Sequence, residues 1–139
     1  MDPENKVIDE KGTAFTSDFG AFYPLHHIIA AFSKLEDAEQ VRQNLITGGY
    51  KEEECVLCTA EEMTHHAEHN LEHEGWLSGT IGRSFDAVQV YLDIARQGAT
   101  FLLIYAPNDV DVERVMNVIR RVPFILAERY RRLVIEDLH

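Results

Sequence analysis

The sequence predicts an α+β fold built on a four-stranded sheet, and three observations carry the prediction. Ala99 to Ala106 is the most apolar run in the chain, bounded by Gly98 and Pro107, and reads as a buried strand. His26 to Phe32 has the same character. Each run is followed by an amphipathic helix and then by another strand, so the chain repeats one strand, helix, strand plan.

Residues 1–23 mix charge, Gly and Ser/Thr without periodicity and are expected to form an arm that is flexible or docks on a partner, aided by Phe15, Phe19, Phe22 and Tyr23. Residues 24–139 form the expected single domain, long enough to bury a core without disulfides or metal staples. Its first strand runs from Leu25 to Phe32. Ser33 and Glu36 have capping-box spacing for the next helix, where Ala38, Val41 and Leu45 share one face until Gly48-Gly49. A short strand follows at Cys55 to Thr59.

An insertion over residues 60–97 separates the two repeats. It reads as a polar helix from Glu61 to about Glu74, a Gly-punctuated hinge from Gly75 to Gly82, and a helix from about Ser84 to Gln97. Phe85, Val88, Tyr91, Leu92 and Ala95 lie on one face of the second helix. After the central strand, Asn108 or Asp109 caps the last helix, with Val112, Val115, Met116 and Ile119 as its apolar stripe and Pro123 as its break. The final strand is expected within Phe124 to Ile135. Two such units interleave into a ferredoxin-like sheet whose first and third strands are central.

Composition narrows the function. The formal charge of −11 disfavours binding to nucleic acid or to anionic membranes, and no apolar run approaches a bilayer span. A start without a signal-peptide pattern and only two cysteines fit a cytoplasmic protein. Positive charge gathers late: Lys and Arg number seven against nineteen acids up to Val110, but six against five from Asp111. Arg120, Arg121, Arg129, Arg131 and Arg132 therefore form either a solvated, edge-protecting set or a patch for an anion or partner.

Between Glu61 and Glu74, four of the seven histidines fall in nine residues. On a helix, His65, His69 and His73 line one face with Glu62 and Glu72 beside them, donors suited to Zn²⁺, Ni²⁺ or Fe²⁺ if a partner helix or subunit completes the site. The alternative is a solvent-facing polar helix. His26 and His27 open a strand and point to opposite faces, so one at most joins a common site; a place at the sheet edge is the simpler reading. Cys55 and Cys58 have Cys-x-x-Cys spacing, but in a strand they too face opposite sides and read as buried hydrophobes rather than a redox pair.

Several stretches together resemble the bacterial general-stress (heat-induced stress) protein family of small α/β domains: Ile28 to Phe32, Glu36-Asp37-Ala38-Glu39, Gly49-Tyr50 and Glu52 to Leu57, then Tyr91, Gly98, Thr100 to Ala106 and Asn108 to Asp111. The resemblance covers roughly Leu25 to Val122, and the His-rich segment and the arm depart from it. It implies a stress-associated role and supplies no reaction or catalytic residues.

Three functions follow as expectations. The first is a non-enzymatic, stress-associated or regulatory binding domain, with a small ligand not specified by the sequence. It would be a homodimer or higher homo-oligomer through a bare sheet face lined by Phe32, Phe101, Tyr105 and Phe124. The second is a metal- or haem-binding protein using the His-rich helix. The third is an enzyme of the dimeric ferredoxin-like barrel kind with a histidine base.

Overall fold

The computed structural model describes residues 25–73, 81–132 and 134–139, with the side chains at 67, 69–73 and 81–87 outside that description. The arm expected over residues 1–23 and the hinge residues Gly75 to Thr80 lie outside the described residues. The elements are β1 (His27–Phe32), α1 (Leu35–Thr47), a 3-10 turn (Glu52–Glu54), β2 (Cys55–Cys58), α2 (Ala60–His73), α3 (Ile81–Arg96), β3 (Thr100–Tyr105), α4 (Asp109–Ile119), β4 (Leu126–Arg131) and β5 (Val134–Asp137).

The five strands form one antiparallel sheet in the order β2-β3-β1-β4-β5. The two most apolar runs, β1 and β3, pair from His27 opposite Tyr105 to Phe32 opposite Thr100, and each has a strand on both sides. That position explains their composition, because an interior strand with covered faces meets no water. β2 lies at one edge, where the Arg42 side chain donates to the Cys55 carbonyl at 2.7 Å.

The strand count departs from four. The segment expected as one final strand is a hairpin in which β5 returns beside β4, with Glu128 opposite Asp137 and Arg131 opposite Val134. Only residues 132 and 133 join the two strands, a length that permits an antiparallel return and little else.

The sheet also has helices on both faces. Ile28, Ala30, Phe32, Leu102 and Ile104 pack with Ala38, Val41 and Leu45 of α1 and with Val112, Val115, Met116 and Ile119 of α4. On the opposite face, Ile29, Ala31, Phe101 and Leu103 pack with Met63 of α2 and with Val88, Tyr91, Leu92 and Ala95 of α3. The insertion therefore covers the face expected to be bare. Phe32 and Phe101 lie on opposite faces and do not form one dimerisation surface.

Local signals decide the helix ends. Asn108 caps α4, its side chain accepting the Asp111 N–H at 2.9 Å. α2 starts with a capping box: Thr59 N–H donates to Glu62 Oε1 at 2.9 Å, and Glu62 N–H to Thr59 Oγ1 at 3.1 Å. The box expected at Ser33 and Glu36 does not form, because the chain turns helical one residue later and Lys34 takes the cap position without a side-chain bond. Gly49 and Gly98 follow α1 and α3 at φ +117° and +93°, left-handed conformations that side chains resist. No helix among the described residues is long and apolar enough to cross a membrane.

Candidate functional site

Strand alternation assigns the polar side chains of the sheet to two places. On the α2/α3 face, Glu128 and Tyr130 of β4 meet Tyr91 of α3. The Tyr91 hydroxyl donates to Glu128 Oε1 at 2.6 Å and lies 2.5 Å from the Tyr130 hydroxyl. A phenol has one proton, so with Tyr91 donating to Glu128, Tyr130 donates to Tyr91. Burial, then the neighbouring Tyr130 and Glu128, hold the Tyr91 hydroxyl far above its ordinary titration range. Burial also raises the Glu128 carboxyl, the Tyr91 hydrogen bond opposing and Asp137 reinforcing the rise. These groups satisfy one another inside the protein, an arrangement that fixes α3 to the sheet.

His27 lies on the same face and is buried on an interior strand, not at a sheet edge. Its Nδ1 is 2.9 Å from the Leu25 carbonyl oxygen, which only accepts, so Nδ1 carries a proton. Its ring tilts against Tyr105 with centroids 5.3 Å apart. His26 differs in every respect: it is exposed and has φ +68°, the one positive value at a non-glycine among the described residues. Two backbone bonds clamp it there, its N–H to the Tyr130 carbonyl at 3.0 Å and its carbonyl from Ala106 N–H at 2.9 Å.

At this end of the sheet, where β1 begins and β3 and β4 end, His26, Pro107, Tyr130, Arg129, Arg131 and Arg132 line a cleft of about 260 Å³. Arg129 is held firmly, with its side chain 12 % exposed and Nη1 at 2.8 Å from Asp109 Oδ1 and 3.8 Å from Glu136 Oε1. Arg131 Nη1 is 3.6 Å from the same Glu136 oxygen, which is buried and has no hydrogen-bond partner among the described residues. Arg132 makes no hydrogen bond or ion pair among the described residues, and Arg129 keeps the Asp109 carboxyl below its usual range. A second, smaller cleft of about 180 Å³ lies beyond Pro107, between Tyr50 and Arg114. There the Arg114 guanidinium stacks over the Tyr50 ring at 5.5 Å and donates to the Gly48 carbonyl at 3.1 Å, so that cation is committed internally.

The late arginines thus separate. Arg129, Arg131 and Arg132 converge, whereas Arg120 sits at the end of α4 with Glu113 and Asn117. The sequence showed the arginines but not their company, because the turn after β4 and the left-handed His26 bring distant residues together.

The expected metal ligands lie on α2, which is helical as anticipated. Glu62 serves the capping box, His65 is exposed, and His66 stands edge-on to His65 with centroids 5.7 Å apart. The side chains of His69, Glu72 and His73 lie outside the described residues, and no three His, Cys, Asp or Glu side chains converge on one point among those described. The cysteines face opposite sides as expected: Cys55 packs toward α1 and Cys58 toward α2, and burial pushes both thiols up to about 12. A thiol so held is a weak nucleophile at neutral pH. Compared with protein-family models, curated proteins and solved structures, the chain matches none.

Proposed function

We propose that this chain is a small, non-enzymatic binding domain with a regulatory role, ferredoxin-like in plan, that takes an anion at the arginine cleft. The order β2-β3-β1-β4, with α1 between β1 and β2 and α4 between β3 and β4, supports the ferredoxin-like reading; α2, α3 and β5 are additions to it. The stress-associated role belongs to this proposal through the family resemblance alone. The homo-oligomer expected from a bare sheet face loses that basis, because α2 and α3 cover the face.

One observation carries the binding reading: in a chain of net charge −11, three guanidiniums and an imidazole share one small cleft. Guanidinium donors recognise phosphate and carboxylate oxygens by charge-assisted hydrogen bonds. The volume is below the roughly 300–1,000 Å³ of clefts that enclose drug-sized ligands, which favours a compact anion over an extended cofactor. The polar groups under α3, in contrast, bond to one another.

Titration of the labelled protein with sodium sulfate, phosphate and acetate, followed by amide NMR, tests the reading. Shifts are expected at His26, Ala106 and Tyr130 to Arg132, and Arg132→Ala should weaken them. Saturable shifts confined to another surface, or none, would overturn it.

A further inference from the structure

We infer that the cleft selects a doubly charged phosphate group, which displaces Asp109 from Arg129. The inference rests on the anion-binding reading and concerns which anion binds and what it replaces. The charges around the cleft support it. Asp109 pairs with Arg129, and Glu136 stands nearest Arg131, which holds a further interaction, so among the described residues the Arg132 guanidinium is the surplus positive charge beside the His26 imidazole. If Asp109 leaves, the surplus becomes two, which matches a phosphate dianion.

The two carboxylates differ in how readily they leave. Glu136 Oε1 is buried, and its residue is paired opposite Arg129 in the β4/β5 ladder, so it stays with the strands. Asp109 has a side chain 87 % exposed and sits on the first turn of α4, held at Arg129 by a contact of 2.8 Å. An exposed carboxylate regains water when it swings away, so exchanging it for an incoming anion costs little. Arg129, at 12 % exposure, is the fixed member of the pair, which makes it the receiving group and Asp109 the displaced one. Arg132, without a partner among the described residues, supplies the first contact for the approaching anion.

The backbone at His26 fixes one wall of the cleft. A residue other than glycine at φ +68° is strained, and here the strain is enforced from both sides by Tyr130 and Ala106. The same backbone positions the histidine at the cleft beside the arginines.

The experiment compares inorganic phosphate, methyl phosphate and acetate at constant ionic strength, by calorimetry and amide NMR, on the wild type, Asp109→Asn and Arg132→Ala. Phosphate should bind roughly tenfold or more tightly than acetate. Asp109→Asn should strengthen phosphate binding about two- to fivefold, the range of an exposed ion pair removed from competition. In the wild type, phosphate should also shift the amides from Asp109 to Val112. Methyl phosphate binding as well as inorganic phosphate would identify the esterified group as the ligand, and binding only the inorganic ion would identify free phosphate; each supports the inference. Equal affinity for acetate and phosphate, or unchanged affinity in Asp109→Asn, overturns the inference and leaves an anion cleft. No binding by any of the three anions overturns both.

Discussion

The hydroxyl of Tyr91, from helix α3, lies 2.5 Å from the hydroxyl of Tyr130, from strand β4, in the interior of the protein. The contact joins the inserted helical layer to the sheet across 39 residues of chain, and Glu128 completes it at 2.6 Å. Its partners are buried, so removing one hydroxyl leaves a desolvated group behind. Tyr91→Phe should destabilise the fold by about 1–3 kcal/mol in urea denaturation. In a double-mutant cycle with Tyr130→Phe, the pair should cost less than the sum of the single changes. Additive costs would show that the two hydroxyls do not interact.

Glu128 makes acid conditions favourable locally. Its folded carboxyl takes up a proton at a higher pH than the unfolded one, because burial opposes its charge. The folded state therefore binds more protons between the two values. This contribution to stability is present below the ordinary carboxyl value and is lost as pH rises through the raised one. Glu128→Gln should flatten the stability profile across that window while leaving the acid limb due to other carboxylates. A profile of unchanged shape would refute the assignment.

Alkali should act through the cysteines first. Both thiols rise from 9.0 to about 12 on folding, from burial above all. Their contribution is full below the unfolded value and declines as pH rises through the folded one. Between those values each thiol should lower stability by about 1.4 kcal/mol per pH unit. Cys55→Ala and Cys58→Ala should each remove about one such slope, measured by denaturation from pH 8 upward.

Met63 gauges whether α2 is part of the core. It has no exposed surface and lies against the sheet with Phe101 and Tyr91. Met63→Ala should cost about 2–5 kcal/mol, within the range for large-to-small changes in a packed interior. A cost below about 0.5 kcal/mol, the level of a surface change, would mean that the helix contributes no packing.

His26 should separate stability from binding. Glycine accepts φ +68° without a Cβ clash, which offsets its greater freedom in the unfolded chain. His26→Gly should therefore stay within about 1 kcal/mol of the wild type yet lose anion affinity, while the β-branched His26→Val should be less stable than either. Equal stability of the Gly and Val variants would mean that the left-handed backbone carries no strain.

Much of the fold was legible because local chemistry agreed with tertiary need. Ala38, Val41 and Leu45, and likewise Val112, Val115, Met116 and Ile119, repeat at helical spacing and are all buried. The run Ala99 to Ala106 predicted an interior strand, and β3 occupies one. The candidate site was legible only in its ingredients. Arg129, Arg131 and Arg132 are a basic group in the sequence, but their spacing gives no hint of His26, about a hundred residues earlier in the chain, or of Asp109, 20 residues before Arg129. The donors of the His-rich helix, in contrast, lie three and four residues apart within one short segment and are legible from sequence alone.

By itself the sequence determined the helices and the strands up to β4, the interior places of β1 and β3, and the opposite burial of Cys55 and Cys58, because periods of two and 3.6 residues fix which side chains share a face. Only the tertiary structure decided that α2 and α3 cover the second face, that the chain returns as β5, and that Asp109 reaches Arg129. Those outcomes depend on where distant segments meet, and periodicity says which face of an element is apolar but not what will cover it.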